Sequence, residues 1–177
     1  MKIYHVTEVL SKYMDWSMIP DQLLAHACKR GSWVHAACEA VALGYYVERK
    51  RFDNYGEYVK SFQRWFDITV KDVLAVEKKI TCNALGFEGR LDFLLVFNTG
   101  ERVLVDIKTP VALQKTWACQ LSAYEYLASA EGEKVDAVMS LRLKADGGAA
   151  LGKRYLNSTE DFNIFLSALN AHRSLMD

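Results

Sequence analysis

Asp106-Ile107-Lys108 ends the apolar run Val103-Leu104-Val105 and follows Gly89-Arg90-Leu91-Asp92 by a short interval. In a strand, residues two apart share a face. Val103, Val105 and Ile107 then point one way, and Leu104, Asp106 and Lys108 the other. A carboxylate and an ammonium among core residues are costly unless paired or bound to an ion. Asn98-Thr99-Gly100 is a hairpin signal, so the strands of Asp92 and Asp106 become neighbours and both acids approach one point. Crowded carboxylates repel, and a divalent cation relieves the repulsion. Oxygen donors suit magnesium or manganese. The Ile107 carbonyl could add a neutral ligand. Lys108 could orient or deprotonate a water, or balance charge on an attacked phosphate. Taken alone, D-x-K equally describes a half-exposed strand with one salt bridge.

Other residues must come from elsewhere. His35 and Glu39 are four apart and share a helix face. Ala36, Ala37 and Ala40 are small enough to let that helix lie close to a sheet, where His35 would be a nitrogen ligand; a core or partly solvated histidine is the alternative. Gln120 and Tyr124 are also four apart, on the segment after the Lys108 strand, and could face the lysine; an ordinary amphipathic helix has the same pattern. Glu77, in Val76-Glu77-Lys78-Lys79-Ile80, reads either as a site acid or as a solvated strand residue. Trp16 and Trp117 could stack on unpaired bases or simply pack.

The elements follow from periodicity. Pro20 suits a helix start, with Leu23, Leu24, Ala27 and Cys28 at helical spacing. Gly31 interrupts this pattern, and a second helix runs through Trp33, Val34, Ala37 and Val41 to a terminator at Gly44. Tyr58, Phe62, Trp65 and Phe66 mark another helix. Val73 to Cys82 reads as a strand. Phe87 to Phe97 alternates, placing Phe87, Gly89, Leu91, Phe93, Leu95 and Phe97 on one face. A strand over 102–108, a helix over 113–128, strands over 135–143 and 150–156, and a final helix capped by Ser158 complete the order, with Phe162, Phe165, Leu166 and Leu169 buried. This predicts an α/β sandwich with a mixed central sheet flanked by helices and a helical N-terminal region. One domain over 1–177 is expected, helical over 1–70, with the sheet and central helix over 71–157 and the C-terminal helix over 158–177.

Of the 177 residues, 51% are apolar and 25% charged, an ordinary globular balance. Lys and Arg number 22, as do Asp and Glu, so any nucleic-acid-binding surface must be local, from residues such as Arg90, Lys78, Lys79, Lys115 and Arg102. No apolar run is long enough for a bilayer, and the opening lacks a signal-peptide core, so a cytoplasmic protein without membrane partners is expected. Cys28, Cys38, Cys82 and Cys119 have no metal-ligand spacing and read as buried reduced thiols.

In order, Gly31-x-x-x-His35, Glu77, Gly89-Arg90-x-Asp92, Asp106-Ile107-Lys108-Thr109 and Gln120-x-x-x-Tyr124 resemble the RecB-like branch of the PD-(D/E)XK nuclease superfamily, from about residue 6 to about residue 127. Val6-Thr7-Glu8-Val9-Leu10 and Arg30-Gly31 also look like that branch. The resemblance implies a restriction-endonuclease-like fold and a magnesium- or manganese-dependent deoxyribonuclease, an exonuclease of DNA recombination or repair. His35, Asp92 and Asp106 then look like metal ligands, helped by the Ile107 carbonyl. Glu77 looks like a further site acid, Lys108 like the catalytic lysine, and Gln120 and Tyr124 like the motif that positions Lys108 or the DNA strand. The clustered cysteines of the iron–sulfur members are missing, which disfavours that subgroup. Any motor must be a separate helicase or recombination partner, and a homo-oligomer is compatible with the fold. Compact nucleases of phages and mobile elements are similar in size. A catalytically silent DNA-binding or assembly module on the same fold is the alternative.

Overall fold

A computed structural model describes residues 2–14, 17, 19–47, 55–110 and 112–176. The elements in chain order are β1 (Tyr4–His5), α1 (Val6–Ser11), α2 (Asp21–Ala42), α3 (Gly56–Thr69), β2 (Val70–Cys82), β3 (Phe87–Phe97), β4 (Arg102–Lys108), α4 (Thr116–Ala130), β5 (Ala137–Arg142), β6 (Leu151–Tyr155) and α5 (Ser158–Met176). The architecture is an α/β sandwich with a mixed six-stranded sheet flanked by helices. β2 runs antiparallel along one edge of β3. The other edge of β3 takes β1 in parallel at Phe87 and Glu88, then β4 antiparallel from Phe93 to Val96. β4 pairs in parallel with β5, and β6 closes the far edge antiparallel to β5. The short strand β1 carries no periodic signal of its own, and sequence reading misses it.

β4 is buried on both faces, as a strand inside a covered sheet must be. Val103, Val105 and Ile107 face Phe62 and Tyr58 of α3 and Val34 and Cys38 of α2. Leu104 faces the opposite core, built from Leu121, Tyr124 and Leu127 of α4, Phe165 and Leu169 of α5, and Val9 and Leu10 of α1. Each large apolar side chain moved from water into such a core contributes roughly 1.5–3 kcal/mol.

β3 departs from the expected uniform alternation. Phe87 and Leu91 join Leu94 in the α4 core, whereas Phe93, Leu95 and Phe97 lie in the α3 core. The side-chain phase therefore slips by one residue around Asp92. The cause is a paired irregularity. The β2–β3 register skips from Val76↔Phe93 to Lys78↔Leu91, and the unpaired residue opposite Asp92 is Glu77, whose φ is +48°. A non-glycine residue in this left-handed region rotates the chain locally and resets which face follows.

α2 is one helix, not two: it runs through Gly31 without a break. A glycine in mid-helix costs only about 1 kcal/mol against alanine, and an apolar stripe through Val34, Ala37 and Cys38 outweighs it. Gly44 does end the helix, in the left-handed conformation (φ +79°), with its N–H on the Val41 carbonyl at 3.0 Å and Tyr45 N–H on that of Ala40 at 2.8 Å. Ser158 begins α5, but its hydroxyl donates to Glu125. Cys38 and Cys119 are buried and Cys82 half-buried, but Cys28 is exposed; all four are free thiols. No helix among the described residues is long and apolar enough to cross a membrane.

Candidate functional site

The irregularity at Glu77 and Asp92 opens the sheet where three layers meet. The β3–β4 ladder stops at Phe93↔Val105, one step short of placing Asp92 opposite Asp106. Beyond it, the Ile107 N–H donates to Asp92 Oδ2 at 2.8 Å, so a side chain takes the place of a ladder partner. The Leu143 N–H takes the Lys108 carbonyl at 2.9 Å on the β5 side. By strand alternation the Ile107 carbonyl lies on the other edge, that of Asp92.

α2 crosses the end of the sheet and brings His35 Nδ1 to 3.3 Å from Asp92 Oδ2. His35, Glu77 and Asp92 each offer one ligand atom, and these atoms lie within 4.8 Å of one another. Asp106 is not a member of this triad. Gln120 Nε2 donates to its Oδ1 at 3.0 Å, and Lys108 Nζ sits 2.5 Å from its Oδ2. The ammonium lies off the hydrogen-bonding directions of Oδ2, which is buried and ion-paired but receives no directed hydrogen bond. Lys108 Nζ also donates to Gln120 Oε1 at 2.9 Å, and Gln120 Nε2 reaches Tyr124 Oη at 3.1 Å. The Gln120–Tyr124 pair on α4 thus faces the lysine, as its spacing suggests.

Electrostatics follow from burial and crowding. Burial resists the charged form of His35, but the adjacent Asp92 carboxylate overrides it, helped by Asp106, and lifts the imidazole to about 9. Burial likewise resists ionisation of Asp92, yet His35, Lys108 and the Ile107 N–H together hold it below the usual carboxylate range. Asp106 is pushed up to about 6 by burial, against the pull of Lys108 and with the push of Asp92. Glu77 is raised by burial and by Asp92. Tyr124 is raised by burial and by Asp106, so its hydroxyl stays protonated. Acids whose pKa values are pushed apart around one imidazole mark this cluster as the candidate site.

These groups line a cleft of about 780 Å³. Glu39, one turn past His35, and Arg90, 3.5 Å from Glu77, reach it too. His5 and Thr7 also contribute, bonded to each other at 2.8 Å; the sequence points to Thr7 only within Val6-Thr7-Glu8-Val9-Leu10 and gives no signal for His5. Of the cations considered for binding, Arg90 lines this cleft and Lys115 an adjoining one. Lys78 is held by Glu131 at 2.8 Å and Glu133 at 3.3 Å, and Lys79 by Glu88 at 2.8 Å. Arg102 lines neither cleft. Trp117 is buried beneath Lys108, whose Nζ lies 5.5 Å from the ring centroid, so it is a packing residue and not a stacking platform. Trp16 lies outside the described residues.

Gly89 explains itself here. A Cβ at this position would lie 2.6 Å from the Tyr124 ring, so only glycine lets α4 press Tyr124 and Gln120 onto the strand. Gly31 differs: a Cβ there would meet nothing within 4 Å among the described residues.

Comparison with known proteins finds no matching family model and no matching curated protein. Among solved structures, that of SSO0001 superposes with a TM-score of 0.50 at 15% identity, over 99% of this chain and 77% of that one. At this identity the likeness speaks for the α/β architecture alone.

Proposed function

We propose that the chain is a magnesium- or manganese-dependent deoxyribonuclease of the RecB-like PD-(D/E)XK kind, working on DNA in recombination or repair. The supporting observation is the convergence of His35, Glu77 and Asp92 beside a lysine held by Asp106 and Gln120. The donor set fits a hard divalent cation. It offers carboxylates and one imidazole, and the buried Asp106 Oδ2 has no directed hydrogen bond. His35, Glu77 and Asp92 would hold the ion, with Asp106 and the Ile107 carbonyl as further oxygen donors. When bound, such an ion polarises a phosphate oxygen and lowers the pKa of a water.

The remaining chemistry belongs to the chain. Lys108 carries three N–H donors; Gln120 engages one and Asp106 pairs with the charge, which leaves a donor for the attacking water or a phosphate oxygen. Gln120 accepts from Lys108 and donates to Asp106, which sets the direction of the ammonium. Trp117 beneath it excludes water, so its charge acts in a low dielectric. Arg90, more than half exposed at the rim, offers a guanidinium to a flanking phosphate. A cytoplasmic setting, where thiols stay reduced, suits the four free cysteines.

The test is digestion of linear, circular and single-stranded DNA with magnesium against EDTA, with Asp106→Ala and Lys108→Ala alongside. Metal-dependent cleavage abolished by both substitutions is expected. Cleavage that survives both would overturn the assignment.

A further inference from the structure

His5 ends β1 and lines the cleft with His35, Glu77, Asp92 and Lys108, outside every motif of the site. Its place follows from the sheet. β1 lies parallel to β3, with Tyr4 opposite Phe87 and His5 opposite Glu88. Paired residues of neighbouring strands share a face, and Tyr4 and Phe87 both belong to the α4 core. His5 and Glu88 therefore point away from that core, onto the face that α2 crosses. Arg90, two residues past Glu88, joins them. Along β3 the cleft thus presents His5 first, Arg90 next and Asp92 at the candidate cation site. Same-face residues of a strand stand about 7 Å apart, close to the step between neighbouring phosphates of a nucleic-acid backbone.

The backbone fixes which ring nitrogen carries the proton. The Thr7 N–H, which can only donate, reaches His5 Nδ1 at 3.3 Å, and the Thr7 hydroxyl lies 2.8 Å from the same nitrogen. Nδ1 is therefore the acceptor, and in the neutral imidazole the proton sits on Nε2. Burial holds the ring below its ordinary value, against the pull of Glu88. Among the described residues Nε2 has no partner. Glu88 is engaged elsewhere, by Lys79 at 2.8 Å and by the Thr81 hydroxyl at 3.2 Å. α1 contributes only the N–H that fixes the ring; the donor offered to a ligand is the side chain's. A half-buried N–H without an acceptor, in line with an exposed guanidinium, suits the oxygen of an anion.

We propose that His5 is a substrate-binding residue, whose Nε2–H holds a non-bridging oxygen of a backbone phosphate to one side of the phosphate being cut, in the row that Arg90 shares. The identity of the anion rests on the nuclease reading. The two donors of the row differ in kind. Arg90 neutralises a phosphate and releases a counterion, which makes its contribution salt-dependent. His5 donates as a neutral ring and releases none.

The test reads binding, not cleavage. Fluorescence anisotropy in EDTA follows the intact chain on a labelled hairpin DNA with a single-stranded tail. A set of such DNAs carries one uncharged methylphosphonate each, stepped along the backbone. His5→Asn keeps an N-cap acceptor for the Thr7 N–H and removes the Nε2 donor. It should weaken unmodified DNA by about tenfold, the scale of one hydrogen bond to a charged group. The salt slope should not change in His5→Asn, whereas Arg90→Gln should lower it by about one. At one methylphosphonate position His5→Asn and wild type should bind alike, because the contact is already gone from both. His5→Ala removes cap and donor together, so it should lose the same affinity as His5→Asn and also melt lower. An affinity loss confined to His5→Ala, or a gap between His5→Asn and wild type that is equal at every methylphosphonate position, overturns the proposal and leaves the ring a helix cap. Wild type that binds none of these DNAs overturns it too. Magnesium-dependent cleavage with no coupled phosphate would keep the nuclease and sink the His5 contact; one coupled phosphate in a protein that cleaves no DNA would do the reverse.

Discussion

Lys108 Nζ sits 2.5 Å from Asp106 Oδ2, on the one oxygen of that carboxylate that Gln120 does not use. Without a cation, the lysine neutralises an acid that is otherwise buried and costly. A cation drawing on the same oxygen competes with it. Lys108→Met should therefore raise manganese affinity while lowering cleavage by about 10²–10³-fold, the usual cost of losing one transition-state donor. Titration calorimetry with manganese and a cleavage assay on the same preparation separate the two. Weaker manganese binding in this variant would show that the lysine supports the ion rather than opposing it.

His35 is protonated near neutrality in the metal-free chain, since Asp92 lifts it to about 9. A metal ligand must be neutral, so binding at pH 7 should release a proton, and affinity should rise about tenfold per pH unit up to about 9. Calorimetry in buffers of different ionisation heat counts that proton, and His35→Gln should abolish its release. Stability has the opposite trend. The folded pKa lies above the unfolded 6.5, so the His35–Asp92 contribution is complete below about 6.5 and is lost as pH rises through 9. Metal-free melting temperature should fall across that window, and less so in His35→Gln. Buffer-independent heats would contradict a histidine ligand.

How far the sequence reveals the site depends on where its period holds. From Val103 to Lys108 alternation is unbroken, so the faces of Leu104, Asp106 and Lys108 follow from it, as does the four-residue reach from Gln120 to Tyr124. In β3 it fails. Asp92 sits where the phase slips, and the cause lies in β2, in the left-handed backbone of Glu77, which no residue type announces. Glycine misleads in one place and informs in another. Gly31 looks like a helix end but sits inside α2, because burial further along the helix decides its length. Trp117 reads in the sequence as either a stacking or a packing residue, and α4 turns it under Lys108. Convergence of His35 with Glu77 and Asp92 is a tertiary property, and local pattern names only its participants.

Gly31 and Gly89 should respond in opposite ways to alanine. Gly89→Ala forces a Cβ to 2.6 Å from the Tyr124 ring, which must retreat and carry Gln120 with it. Overpacking of this kind costs about 1–3 kcal/mol, and Lys108 loses its positioning partner, so both melting temperature and turnover should drop. Gly31→Ala meets no atom within 4 Å among the described residues, sits inside a helix and should stabilise by about 0.5–1 kcal/mol. Denaturant melts of the two variants measure the contrast; a destabilised Gly31→Ala would mean that backbone freedom at this turn of α2 matters for folding.

Glu77 joins a stability cost to a binding role. A left-handed non-glycine residue costs on the order of 1–3 kcal/mol, and its carboxylate adds repulsion toward Asp92. Both penalties persist where the chain gains something from them, and the gain here is a third donor within 4.8 Å of His35 and Asp92. Glu77→Gly adopts the same backbone without strain and removes the repulsion. Its metal-free form should melt at or above the wild-type temperature while manganese affinity falls at least tenfold. Glu77→Gln separates the two effects, since it keeps the strain but not the charge: weak manganese binding should come with only the part of the gain in melting temperature that the repulsion accounts for. If Glu77→Gly binds manganese as tightly as wild type, the strained residue serves the sheet and not the ion, and the ligands would have to be sought among His35, Asp92 and Asp106 alone.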